Sequence, residues 1–263
     1  MQKQRILIIT PLPPPVHGSA MVSQYIKENK ELQQGFNCDF VNLSTSRNIE
    51  KVVKKEQIII CPNGIPGIAE KEQHVERCND VPQLLFLSNL IPSKGVYTLL
   101  DACKILKEKG YEFVCNIIGG ESTDITKDVF KKAVNERGIN DVVVYHGPKY
   151  GKDKISHFIN ADIFIHPTSN DCFPLTLLEA MQYGLPIITT NIGGIADIVQ
   201  NNHNGYICEC ENPTALAAAI EDLLANKQKR VAFGENGYRL FKEKFTLEQF
   251  NRNILEIFKQ EAV

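Results

Sequence analysis

Short apolar runs alternate with amphipathic stretches from residue 82 onward. Leu84 to Leu87, Phe113 to Ile118, Val142 to Tyr145, Asp162 to Ile165 and Pro186 to Thr190 read as buried strands, because brief β-branched and aromatic runs between polar or Gly/Pro positions need both faces covered. Helical spacing occupies the intervals: Val96 to Lys109, Thr126 to Gly138, Lys154 to Asn160, and a stretch begun by Pro174 and stopped by Gly184. Pro174 is expected at the first helical position, where a missing N–H costs nothing. Tyr206 to Cys208 predicts an edge strand. Three helices follow, Pro213 to Ala225 with its Leu216, Ile220, Leu223, Leu224 stripe, Lys229 to Lys244, and Leu247 to Lys259. This strand–helix alternation predicts an α/β fold with a doubly wound, Rossmann-like parallel sheet.

The N-terminal pattern is shorter. Arg5 to Ile9 is a strand, the Pro11 to Gly18 loop leads to a helix beginning near Ser19, and Phe36 to Leu43 is a second strand. One β–α–β unit of about fifty residues cannot bury the surface of an independent sheet domain. The expected organisation is therefore an incomplete N-terminal segment over 1–50, a sheet domain over 51–245, and a last helix over 246–263. Either the first domain is naturally short or a middle portion is missing.

Composition narrows the class. The chain has 263 residues, 43% hydrophobic and 23% charged, with a net charge of −2 and dispersed basic residues, so it carries no electrostatic footprint for nucleic acid. The basic run Lys149, Lys152, Lys154 reads as a solvated loop, or less readily as a loop near a phosphate. Eight cysteines include Cys38, Cys61, Cys103 and Cys115 inside apolar stretches, which reads as reduced core thiols. Cys208 and Cys210 fit neither redox nor common zinc spacing, and no metal site is expected. No apolar run reaches the length of a membrane span or a signal peptide, so a cytoplasmic location is expected.

The chemistry concentrates at strand ends. Glu179 sits among Leu175, Leu177, Leu178, Ala180 and Met181, and a carboxylate in such company needs hydrogen-bond donors to offset its desolvation. The bland reading gives it backbone donors or a lysine in a structural role. Asp171 lies eight positions earlier, in the loop that feeds the helix. Asn89, Lys94 and Gly95 follow one buried strand; Gly119 and Gly120 end another, permitting close approach of a ligand or forming a plain tight turn.

These segments resemble retaining nucleotide-sugar glycosyltransferases of family 4, the glycosyl transferases group 1. Asp171 and Glu179 are similar to the Glu-x7-Glu signature, with the first carboxylate one methylene shorter. Ser88 to Gly95 resembles Gly-Arg-Leu-x-x-x-Lys-Gly, with Asn89 in place of the Arg. Gly193 to Val199 resembles Gly-Gly-x-Pro-Glu-x-Val, with Ala196 and Asp197 as departures. Gly18, beside His17, matches the loop glycine of the first domain. The resemblance implies a GT-B-type donor domain that moves sugar from a UDP- or GDP-sugar to an acceptor hydroxyl, such as that of a glycan or lipid-linked glycan, with retention and without a metal. It implies that Glu179 holds the ribose, that Asp171 faces the sugar, and that Lys94 and the amides of Phe173, Pro174, Leu175 and Thr176 surround the departing diphosphate. Pro174 contributes position rather than an N–H. Asn89, Gly119 and Gly120 would lie near the nucleotide. Two other classes stay open: a non-catalytic nucleotide-sugar-binding module, and an epimerase or hydrolase using Asp171 with His17 or His166. The 263-residue chain, if whole, is expected to transfer sugar poorly.

Overall fold

The computed structural model describes residues 4–10, 24–42, 61–68, 77 and 79–261. The chain divides into two compact units, one of residues 1–67 with 243–263 and the other of residues 68–242. Gly18 and His17 lie outside the described residues.

The larger unit holds six parallel strands: β3 (Gln83–Leu87), β4 (Val114–Ile118), β5 (Val143–Tyr145), β6 (Ile163–His166), β7 (Ile187–Thr190) and β8 (Gly205–Cys208), in the order β5-β4-β3-β6-β7-β8. All residues of β6 and β7 are buried, which is why both read as continuous apolar runs rather than as alternating ones. The chain winds outward from β3 through β4 to β5, then returns to place β6 beside β3. That reversal falls at the carboxyl ends of β3 and β6, the kind of switch point at which open parallel sheets bind ligands. Everything chemical in this unit is positioned by that topology.

In the smaller unit β1 (Gln4–Thr10) pairs in parallel with β2 (Phe36–Asn42), in a register that runs from Gln4 opposite Phe36 to Thr10 opposite Asn42. Residues 24–28 are helical, and helix α1 (Lys30–Gly35) starts at Asn29, whose Oδ1 caps the Leu32 N–H while its Nδ2 donates to Asn251 at 3.0 Å. The helices of the larger unit are α2 (Val96–Glu108), α3 (Lys127–Glu136), α4 (Gly151–Asn160), α5 (Leu175–Gln182), α6 (Ile195–Ile198) and α7 (Pro213–Ala225), followed by α8 (Lys227–Lys244); α9 (Leu247–Glu261) is the last. Leu255 of α9 packs with Leu32 and Phe36. No helix among the described residues is long and apolar enough to cross a membrane.

Three expectations change. Pro174 is the N-cap of α5 rather than its first helical residue: its ψ of 115° is extended, and its carbonyl accepts from Leu177 N at 3.1 Å. Lys154 lies in the first turn of α4, not in a solvated loop, because that helix starts three residues earlier than its apolar spacing predicts. The thiols differ as well. Cys103 and Cys115 are buried, but Cys61 is only half-buried.

Two imidazoles sit beside the sheet, His146 just after β5 and His157 on α4, with ring centroids 4.6 Å apart. Burial lowers the pKa of each below the usual value, and for His146 the neighbouring His157 and Lys149 add to it. The unfolded chain therefore binds more protons, so the contribution of the pair is full above about pH 6.5 and is lost as pH falls through that range. Urea denaturation at pH 7.5 and 5.5 should show a larger drop in midpoint for wild type than for His157→Asn. Equal drops would show that the pair does not set this dependence.

Candidate functional site

Four loops meet at the carboxyl edge of the sheet, and their contacts explain the glycines. After β3 the chain makes a single 3-10 turn, Pro92–Lys94, then passes through Gly95 at φ +79° into α2. A Cβ on Gly95 would stand 2.0 Å from the carbonyl oxygen of Pro167, just after β6, so only glycine allows this approach. The carbonyl of Ser93 accepts from Ser169 N at 2.8 Å and from Thr168 Oγ1 at 3.0 Å. The β3 and β6 loops are thereby fixed to each other. From the next loop, Gly193 (φ +57°) lies where a Cβ would meet the Asp171 carbonyl at 2.3 Å, and Gly194 N donates to Cys172 O at 2.6 Å. The acidic loop is held on both sides.

This framework brings Lys94 and Asp171 together. Lys94 Nζ donates to Asp171 Oδ2 at 2.6 Å and to the Asn170 carbonyl at 2.9 Å, and His166 Nε2 lies 3.3 Å from the same Oδ2. His166 is 2% exposed, and its Nδ1 is buried without a hydrogen-bond partner. Burial works against ionisation of Asp171, but the hydrogen bonds of His166 and Lys94, together with their charges, outweigh it and hold the carboxyl below the usual range.

Glu179 is one turn into α5. Leu177, Leu178, Ala180 and Met181 are buried beside it, whereas Leu175, Thr176 and Glu179 form the half-exposed face. Its carboxylate does have polar company: Lys154 Nζ donates to Glu179 Oε1 at 2.6 Å. Sequence reasoning gave Lys154 no partner; the signal was the apolar surroundings of Glu179, which demand a donor. Thr176 Oγ1, in the first turn of α5, is buried without a hydrogen-bond partner.

The remaining candidates have structural contacts. A Cβ on Gly119 would lie 1.8 Å from Ser88 O, so its glycine is required by the packing of the β3 and β4 loops. Asn89 Oδ1 accepts from Gly120 N at 3.0 Å, and Leu90 N donates to Gly120 O at 2.8 Å. Asn89 is thus a neutral tie between the β3 and β4 loops. Phe173 lies against Gly194, with its ring 2.9 Å from the place of an added Cβ. Among the described residues no group of three or more His, Cys, Asp and Glu side chains is arranged to hold a metal ion.

Because Lys94 and Asp171 are only 22% and 18% exposed, losing one leaves the other poorly solvated. Asp171→Asn should cost about 1–3 kcal/mol of stability at neutral pH. The sign follows from its lowered pKa: the contribution is present above about pH 4, the unfolded value, and disappears as pH falls through the folded one. Denaturation curves for both proteins should thus converge in acid. A difference that persists there would assign the effect to packing.

The model of the family described as glycosyl transferases group 1 matches residues 68–240. The capsular polysaccharide biosynthesis glycosyltransferase CapM of Staphylococcus aureus is 29% identical over 176 residues, 67% of this chain and 45% of CapM. A D-inositol 3-phosphate glycosyltransferase of Corynebacterium urealyticum is 25% identical over 203 residues, 74% of this chain and 47% of the relative. The chain spans about half the length of the curated relatives it matches. Among solved structures, Anabaena Alr3699/HepE in complex with UDP and glucose aligns with a TM-score of 0.61 at 20% identity, covering 68% of this chain and 48% of that one. A glycosyltransferase from Rickettsia africae ESF-5 aligns with a TM-score of 0.67 at 19% identity, covering 97% and 70%. These likenesses give the fold, which is of the GT-B type. With the family model matching about two thirds of its length, the chain belongs to the glycosyl transferases group 1 family.

Proposed function

We propose that the chain binds a UDP- or GDP-sugar and serves its transfer to an acceptor hydroxyl with retention of configuration. The observation that carries this reading is the pair of carboxylates eight residues apart, Asp171 and Glu179, each held by a lysine at the carboxyl edge of the sheet. A diphosphate brings negative charge to a place where Lys94 is already half-desolvated and where the N–H groups of Leu175 and Thr176 open α5 ahead of the bond from Leu177 N to Pro174 O. As the bond from sugar to phosphate breaks, charge grows on the leaving phosphate, and donors fixed in advance stabilise it more than they stabilise the ground state. Glu179 then takes the ribose hydroxyls and Asp171 the sugar. No metal is needed for this arrangement, because protein groups meet the diphosphate directly. The solved relative in complex with UDP and glucose agrees with a nucleotide-sugar donor.

Asn89 sets a limit on rate. With its Oδ1 committed to Gly120 N–H, it offers at most a neutral amide where a guanidinium would carry full charge, so Lys94 bears the diphosphate with one fewer cation. A second reading, epimerase or hydrolase, draws on the contact of His166 with Asp171. It is the weaker one, because a proton-transfer group must reach the sugar and His166 is buried. Mass spectrometry of the products separates the readings as glycosylated acceptor, epimer or free sugar, or unchanged donor.

Calorimetry with UDP and with GDP tests the donor site. Glu179→Ala should weaken nucleotide binding by about 1–3 kcal/mol, the range for charge-assisted hydrogen bonds; affinity equal to wild type would refute the assignment. Lys94→Ala should weaken UDP or GDP far more than the matching nucleoside, since charge pairing is the lost interaction. An equal loss for both ligands would point instead to disturbed folding of the loop.

A further inference from the structure

Lys154 is a charged group at the site that neither the signature residues nor the family motifs include, and its geometry differs from that of the exposed i,i+4 pairs. Lys104–Glu108 and Lys132–Glu136 are separated by 3.8 Å, with side chains 48–76% exposed. Lys154 and Glu179 are 2.6 Å apart and only 28% and 25% exposed. Exposed i,i+4 pairs contribute little; a short pair in a half-dry setting has a fixed direction.

That direction is imposed by packing. Four residues after Lys154, on the same face of α4, Phe158 is fully buried and stacks on Tyr183 with ring centroids 5.2 Å apart, and on Phe164 of β6 at 5.8 Å. Tyr183 in turn stands four residues after Glu179. The two helices are therefore joined by two rungs in the same sense, Lys154 to Glu179 and Phe158 to Tyr183. The aromatic rung holds α4 against α5 without the ionic one. What the ionic rung adds is the orientation of a carboxylate.

Resting on the donor-site reading above, we propose that Lys154 is a positioning residue for nucleotide recognition: by occupying one lone pair of Oε1 it turns the Glu179 carboxylate so that the remaining lone pairs accept both hydroxyls of a ribose. An ionised carboxylate has about four acceptor positions, so one ammonium and two hydroxyls fit together without displacing one another. A 2′-deoxynucleotide leaves one acceptor of a half-buried carboxylate unfilled. Lys154 thus makes this site selective for ribonucleotides, and it acts on the nucleoside portion rather than on the phosphates, which fall to Lys94.

The test is calorimetry of wild type, Lys154→Met, Lys154→Arg and Glu179→Gln with UDP, GDP, their nucleosides and their 2′-deoxy analogues. In Lys154→Met the affinities for the preferred nucleotide and its nucleoside should fall by the same factor, roughly tenfold for one charge-assisted hydrogen bond. The preference for ribose over 2′-deoxyribose should shrink toward one and Lys154→Arg should restore most of it; the melting temperature of Lys154→Met should fall modestly, because Glu179 loses its donor, and affinities are compared well below it. Unchanged affinity and preference would reduce the pair to a tie between helices. Loss confined to the diphosphate would make Lys154 a phosphate ligand, and a gain in affinity would make it a latch that the nucleotide must open; each overturns the proposal. Should Lys154→Met fail to fold, Lys154→Gln, which keeps a neutral donor, is read by the same criteria. If wild type binds neither nucleotide, or Glu179→Gln binds as wild type does, the donor-site reading falls and the proposal with it.

Discussion

The contact on which the site depends is the approach of the β3 loop to the β6 loop, closed by the ion pair of Lys94 with Asp171. Strands that are neighbours in the sheet but far apart in sequence end side by side there, and their loops must satisfy backbone groups without a regular ladder. Ser93 O takes three donors from the β6 loop, Gly95 lets the backbones close, and the lysine then meets a carboxylate already held by His166. Charges at a site of low solvation need partners, and here the chain supplies them before any ligand does.

This arrangement makes the site a set of reserved contacts. Both carboxylates of the signature spacing are on lysines from other elements, Lys94 from the β3 turn and Lys154 from α4. On the donor-site reading proposed above, a nucleotide diphosphate exchanges part of the Lys94 contact to Asp171 for its own. Such exchange keeps the desolvation cost of binding low, because the ammonium is already out of bulk water.

Much of this was legible in the sequence, for physical reasons. The strands β6 and β7 announce themselves because every residue is buried, and α7 because its cap and stripe agree: Asn212 accepts from Ala215 N, Pro213 opens the helix, and Leu216, Ile220 and Leu223 are buried. Asp171, Glu179 and Lys94 stand out through their resemblance to the family's motifs, and the fold sets Lys94 against Asp171 and Glu179 against Lys154. What remained hidden was pairing. Lys154 is 25 residues from Glu179, and nothing local to a basic run reveals which carboxylate it will meet. Gly119 shows the converse: a glycine at a strand end reads as room for a ligand, yet the atom that needs the room is Ser88 O. The role of Asn89 as a loop tie was also invisible, since an Arg-to-Asn departure shows the lost charge but not the gained hydrogen bond.

A crystal structure of the chain soaked with UDP and, separately, GDP tests the account most directly. It predicts, for the nucleotide that binds, diphosphate oxygens within hydrogen-bonding distance of Lys94 Nζ and of the first turn of α5, with the ribose hydroxyls on Glu179. A nucleotide seated elsewhere, or one whose ribose does not touch Glu179 while Lys94 stays wholly on Asp171, would contradict it.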